Sequence, residues 1–274
     1  DGSLATEGRD FFMKKFISLL IVLLLLPSLL SVEGQAYSSF LYNSRLEYGI
    51  IGITYPTEEG IRYKVAISKG SETYYYDYTG PETELYPLQL GNGEYTVSLL
   101  RNVSGNKYIV VGKETVQLNL EDENVVYLQS VQNVRFDAGM GPVLKAEELT
   151  RGLENTSDKV EAIYRYIVSN IKYNYNFDFN LDNQYIPNTE DTFITRTGIC
   201  YDFASLFAAM LRSQGIPAKL VKGYSVNVEG YHAWNEVLID GNWVVIDTAY
   251  DATAGKTVKN MIKQRSEYQP EKFY

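Results

Sequence analysis

One cysteine and one histidine are all that this 274-residue chain contains, and their scarcity excludes several classes of protein. A single thiol closes no internal disulfide, so a disulfide-stapled fold is excluded by count. One histidine and one cysteine make poor zinc ligation, and the Asp-rich stretches lack the glycine and terminal glutamate of a calcium loop. No metal and no cofactor are therefore expected. Basic runs are absent and the formal net charge is −9, which argues against nucleic acid or an anionic membrane surface as the main partner. The acidic balance reads as a solubilising surface.

Long apolar runs are equally scarce. Residues 16–30 form one of about 15 residues interrupted by Pro27, where a spanning helix needs about 20. Met13, Lys14 and Lys15 precede it, and Gly34-Gln35-Ala36 follow with small residues at the minus-three and minus-one positions of a cut after Ala36. Residues 13–36 therefore read as a secretory signal peptide, residues 1–12 as an upstream or vector-derived segment, and the mature chain begins near Tyr37. An uncleaved anchor is the alternative. No cysteine follows the run, so a lipid anchor is excluded. The expected location is secreted or cell-surface, without stable membrane insertion once the signal is removed. In that oxidising setting an odd cysteine points to intermolecular pairing or to a reactive thiol.

Tyrosine, by contrast, is abundant at 24 residues. Many lie in strand-like runs, which suggests an exposed β-surface for sugars or peptides, although strand propensity alone also accounts for them. From residue 46 to 134 the chain reads as strand after strand: YGIIGITYP, RYKVAISKG, ETYYYDY, GEYTVSLL, KYIVVG, ETVQLNL and NVVYLQSV. Turn signals at Glu59-Gly60, Gly80-Pro81, Asn92-Gly93 and Gly105-Asn106 separate them. About seven short strands at this spacing imply an antiparallel sandwich of immunoglobulin or fibronectin-III type over residues 37–138. A Cys…Trp…Cys pattern is missing, so the true immunoglobulin family is not implied. Binding or spacing at a surface would suit such a unit.

The period changes after Gly139-Met140-Gly141-Pro142, taken as the junction to a second domain, residues 139–274. Val160, Ile163, Tyr164, Ile167 and Ile171 make a helical apolar stripe behind a cap at Thr156 or Ser157. Residues 174–195 lack periodicity and read as a loop lining a groove. In residues 195–217, TRTGICYDFASLFAAMLRSQGIP, the apolar Phe203, Leu206, Phe207, Met210 and Leu211 recur at helical steps until Gly215 and Pro217 end the pattern. Cys200 stands at that helix's N-terminus, where free N–H groups and the helix dipole favour a thiolate and offer donors to an oxyanion. Strands KLVKGYSV, YHAWNEVLI and NWVVIDTAY follow, so the domain reads as α+β, a thiol-bearing helix on an antiparallel β-meander.

His232 opens the strand YHAWNEVLI. Asp240-Gly241 signals a two-residue hairpin, pairing Ile239 with Asn242 and Leu238 with Trp243, and carrying the register to Trp234 opposite Asp247. His232 and Asp247 then share a face as diagonal neighbours, the arrangement a Cys–His nucleophile pair needs to orient its imidazole. Glu236 and Asp251 are rival acids, and Asp247 is favoured because it adjoins the histidine. An odd-length loop would turn Asp247 to the other face.

The segments TGICYDFASLFAAMLRSQGIPAKLVKGY, YHAWNEV and GNWVVIDTAYD, in this order, resemble the transglutaminase-like superfamily, over about residues 143–250. The resemblance implies a papain-like core with Cys200 as nucleophile, His232 as its partner and Asp247 as the acid. It implies a secreted thiol enzyme acting on amide bonds of proteins or peptides, cell-wall peptide among them, through a thioester that water or an amine resolves. It also implies an oxyanion site made of the cysteine N–H and an upstream side chain, for which Tyr173, Tyr175, Gln184 and Tyr185 are candidates. The contrasting reading is a non-catalytic surface or cell-wall binding protein working through the sandwich, with a degenerate transglutaminase-like scaffold.

Overall fold

The computed structural model describes residues 39–178, 185–254 and 260–274; the signal-peptide and upstream segments expected before Tyr37 lie outside them. The strand-rich part forms two antiparallel sheets. One, in the order β1–β2–β5, joins β1 (Leu41–Tyr42), β2 (Ile50–Ile53) and β5 (Glu84–Pro87). The other, β4–β3–β6–β7, joins β3 (Tyr63–Lys69), β4 (Glu72–Tyr78), β6 (Gly93–Ser104) and β7 (Lys107–Leu118).

Three expectations change here. KYIVVG and ETVQLNL are one strand, β7, because a bulge at Val111 absorbs the break: Leu99 faces Gly112 while Leu100 faces Val110. Gly112 is required there, since a Cβ would lie 2.8 Å from the Phe40 ring. NVVYLQSV is no strand; its first part is a 3₁₀ turn, Glu123–Leu128, opened by the Asp122 carboxylate accepting the Asn124 N–H at 2.9 Å. The tyrosines mostly point inward. Tyr74, Tyr76 and Tyr78 alternate into the core and leave Tyr75 exposed, so strand packing accounts for them better than a binding surface does.

After residue 140 come α1 (Gly141–Thr150), α2 (Thr156–Asn170), β8 (Lys172–Tyr173), α3 (Thr189–Thr195), β9 (Thr197–Gly198) and α4 (Cys200–Arg212). The stripe expected of α2 is present, with Val160, Ile163 and Ile167 buried, but Asn155 takes the capping position instead of Thr156 or Ser157. The loop read over residues 174–195 ends in a helix, α3, whose first turn is held by the Asn188 side chain accepting from Glu190 and Asp191. About two turns with few apolar residues leave no period to read.

Helix α4 is buried on every side from Cys200 to Arg212, where its pattern had implied one buried face. It is the central helix, packed against α1, α2 and α3, and against β10 (Ala218–Ser225), β11 (Val228–Ile239) and α5 (Thr248–Ala254). Its polar positions find internal partners: Ser205 Oγ donates to Asn133 O at 2.7 Å, and Arg212 donates to Ala218 O, Gln129 O and Tyr274 O at 2.9, 2.7 and 2.7 Å.

The remaining sheet has the order β13–β12–β11–β10–β14, where β12 is Asn242–Ile246, β13 Ile262–Lys263 and β14 Tyr268–Phe273. It is antiparallel throughout, yet more than a meander, because β14 returns to pair with β10. The TAY of NWVVIDTAY leaves the strand and enters α5. One cluster of buried side chains runs from Phe40 to Tyr274. The Phe273 N–H donates to the Tyr74 hydroxyl at 3.1 Å and the rings of Tyr74 and Tyr274 meet edge to face. Among the described residues no helix is long and apolar enough to cross a membrane.

Candidate active site

The approach to Cys200 is shaped by its neighbours. Ile199 is extended, and Asp202, three residues into the turn, accepts the Ile199 N–H at 2.8 Å. Gly198 permits this, for a Cβ there would lie 2.5 Å from that of Asp202. Asp202 also accepts the Tyr185 hydroxyl at 2.6 Å. Burial pushes the Asp202 carboxyl up, against these two hydrogen bonds. The result is a first turn locked from below, with Cys200 as its first residue and 9% exposed.

Parallel pairing of β8 with β9 sets Tyr173 opposite Gly198, and the Asn174 N–H donates to Gly198 O at 2.9 Å. The Tyr173 hydroxyl therefore reaches both the main chain and the thiol of Cys200; burial and that neighbouring sulfur push its ionisation up to about 12. Of the other upstream candidates, Tyr175 is 78% exposed, Tyr185 spends its hydroxyl on Asp202, and Gln184 lies outside the described residues.

His232 arrives from the sheet. Asp240 and Gly241 both have positive φ, 49° and 78°, as a two-residue type I′ turn requires, and the register follows: Ile239 faces Asn242, Leu238 faces Trp243 and Asn235 faces Ile246. Asp247 is the next residue. Its Oδ2 lies 2.8 Å from His232 Nε2, leaving Nδ1 for the thiol. Its other oxygen accepts the Tyr250 N–H at 3.0 Å, so the same carboxylate opens α5 as an N-cap. Tyr268 Oη donates to Oδ2 at 3.1 Å, and the Trp234 indole lies along the imidazole with centroids 6.2 Å apart.

Burial pushes the imidazolium down, yet hydrogen bonds to Asp247 and Cys200 and their charges outweigh it and carry His232 up to about 10. The rival acids are engaged elsewhere. Glu236 pairs with Arg265 at 3.0 Å and Lys219 at 3.9 Å, and Asp251 with Lys263 at 2.7 Å and the Tyr164 hydroxyl at 2.8 Å.

Cys200, His232 and Asp247 are thus brought together from a helix start, a strand and a strand end. Three further residues at the site were not picked out from the sequence. Asp202 carried a readable signal, an acid at the third position of a helix. Tyr268 carried none, because only the return of β14 brings it to Asp247. Lys222, on β10, is half-buried and its ammonium lies 3.3 Å from the centroid of the Tyr201 ring.

Residues 145–248 match the sequence profile described as Transglutaminase-like superfamily. The chain is similar to the uncharacterized protein YebA of Bacillus subtilis strain 168, 30% identical over 125 residues, covering 37% of this chain and 16% of YebA. It is similar to the kyphoscoliosis peptidase of Mus musculus, 27% identical over 132 residues, covering 44% of this chain and 19% of that protein. It thus spans less than a fifth of the length of these two relatives. Among solved structures it is similar to the periplasmic domain of TgpA from Pseudomonas aeruginosa, at 14% identity and a TM-score of 0.41, over 79% of this chain and 95% of that one. The similarity to the transglutaminase-like superfamily thus covers residues 145–248.

Proposed function

We propose, from this transglutaminase-like core and the geometry around Cys200, that the chain is a thiol acyl-transfer enzyme acting on amide bonds of proteins or peptides. The observation that carries the reading is a buried carboxylate, Asp247, holding His232 Nε2 at 2.8 Å while the imidazole meets the thiol of Cys200. With His232 carried to about 10, the imidazole holds its proton through neutral pH, ready for the leaving nitrogen.

In the first half-reaction the Cys200 sulfur bonds to the amide carbonyl carbon. The developing oxyanion accepts hydrogen bonds from the Cys200 N–H and the Tyr173 hydroxyl. As the C–N bond breaks, His232 gives its proton to the leaving nitrogen, and a thioester remains. In the second, His232 takes a proton from water or an amine, which attacks the thioester and frees the thiol. Asp247, steadied by Tyr268 and Tyr250, holds the imidazole throughout. Water as acceptor makes a peptidase or amidase; an amine makes a cross-linking enzyme.

The leader at residues 13–36 supports export to the cell surface or beyond, where cell-wall peptide is an available substrate. The three- and four-stranded sheets supporting one core favour a sandwich of immunoglobulin or fibronectin-III type before residue 139, with a substrate-binding or spacing role. Iodoacetamide labelling at mildly acidic pH tests the central step. Cys200 should react well above the rate of free cysteine, and His232→Ala should abolish that excess. Equal rates in all three would leave the non-catalytic binding reading. A glutamine peptide offered with a fluorescent amine then separates transfer, seen as incorporation, from hydrolysis, seen as release alone.

A further inference from the structure

Six lysine ammonium groups among the described residues meet an oxygen. Lys64 pairs with Asp77 at 2.6 Å, Lys263 with Asp251 at 2.7 Å, Lys145 with Glu148 at 2.7 Å and Lys219 with Glu236 at 3.9 Å. Lys69 donates to the carbonyls of Leu90 and Gly91, and Lys272 to that of Thr73. Lys222 differs. Among the described residues no carboxylate lies within 4.0 Å of its ammonium, which rests on aromatic faces instead: Tyr201 at 3.3 Å and Tyr274 at 5.4 Å from the ring centroids. A cation on an aromatic face keeps its charge but neutralises none of it.

Its position gives the free charge a direction. In the β10–β11 ladder Lys222 faces Ala233, and the next pair along is Gly223 with His232. Tyr201, the ring under the ammonium, follows Cys200 directly and is fixed by a hydrogen bond from the Asn133 side chain. The ammonium therefore lies over the ring of the residue that follows Cys200, and its strand position is one ladder pair from that of His232. Its register partner on β14 is another cation, Lys272. Burial lowers Lys222 to about 8, with the charge of Cys200 acting in the opposite sense, so it remains mostly cationic at neutral pH.

We infer that Lys222 is a specificity residue which recognises a carboxylate on the acyl donor next to the amide that Cys200 attacks, an anion that none of the described residues supplies. The inference rests on the acyl-transfer reading and names the substrate class of the same site: acidic peptides, with a side-chain or terminal carboxylate beside the reacting carbonyl. Part of the ammonium's charge falls on the thiolate as well. A role confined to the thiolate would treat neutral and anionic reagents alike, and that difference is measurable.

The test compares two alkylating reagents that differ in charge, iodoacetate and iodoacetamide, each forming an S–C bond at Cys200 as iodide leaves. Near neutral pH the wild type should show a ratio of iodoacetate to iodoacetamide rates above that of free cysteine. Lys222→Met should lower the ratio about three- to tenfold, the size of one charge interaction at a partly solvated site. Lys222→Arg should retain it. In the wild type, raising salt from about 0.02 M to about 0.5 M should compress the ratio by screening, a readout that needs no variant; far-UV circular dichroism confirms that the variants fold. An unchanged ratio in Lys222→Met, or equal slowing with both reagents, overturns the inference while the nucleophile stands. A wild-type thiol no faster than free cysteine with either reagent overturns the acyl-transfer reading, and this inference with it.

Discussion

Buried side chains of residues 40–127 are all apolar or tyrosine, while from Asn133 onward the interior also takes in Asp202, Arg212, His232, Asn235, Glu236, Asp247 and Asp251. The first region solves a packing problem. Its tyrosines bury their rings and send their hydroxyls to nearby carbonyls, as Tyr95 does to Leu88 O at 2.9 Å and Gly91 O at 2.7 Å. The second region accepts the cost of dehydrating charges, which is recovered only where partners are complete. Asp202, His232, Asp247 and Asp251 lie where the first turn of α4, β11 and α5 come together, whereas Arg212 closes the far end of α4. Costly polar burial concentrated at one junction is the electrostatic mark of a working site.

The strongest test of that contrast is Cys200→Ala, which should lower amide turnover by about 10⁴-fold or more with an unchanged unfolding midpoint, because a small buried side chain is replaced by another. Asp247→Asn comes next: it keeps the shape but not the charge, and about 10²- to 10⁴-fold should be lost from kcat. A loss of stability without a loss of rate would reduce Asp247 to a helix cap.

The pH dependence of stability follows from His232. Its folded value of about 10 exceeds the ordinary 6.5, so folding favours the imidazolium. The stabilisation is complete below 6.5, declines above it and is lost as pH passes about 10. Urea midpoints of the wild type minus those of His232→Gln should decline across that window; a flat difference would place the imidazole outside the charged network.

Arg212→Met tests structure alone. It removes three hydrogen bonds from a buried guanidinium to Ala218, Gln129 and Tyr274 and should cost about 2–4 kcal/mol, read by urea denaturation. Smallest of all, Tyr95→Phe should cost about 1 kcal/mol and leave turnover unchanged. An equal fall in activity would break the division between a packing region and a chemical one.

Much of the site is legible in the sequence. The helical period of Phe203, Leu206, Phe207, Met210 and Leu211 places Cys200 at a helix start, and Asp240-Gly241 sets an even register that aligns Asp247 with His232. Both are local signals, since side-chain period and turn geometry act over a few residues. Less was legible where elements are short or carry no period. The polar α3, the turn Glu123–Leu128 and the bulge that fuses two strand runs into β7 fall in this group.

By itself, then, the sequence determined the three residue types, the helix and hairpin that carry them, and a resemblance to the transglutaminase-like superfamily over about residues 143–250. Only the tertiary structure decided which upstream tyrosine reaches Cys200, that Tyr268 returns on β14 to Asp247, and that the Lys222 ammonium rests on the Tyr201 ring with no carboxylate of the described residues within 4.0 Å. The reason is range: these contacts join segments that pair across sheets and between helices, where no local pattern records which distant strand arrives alongside.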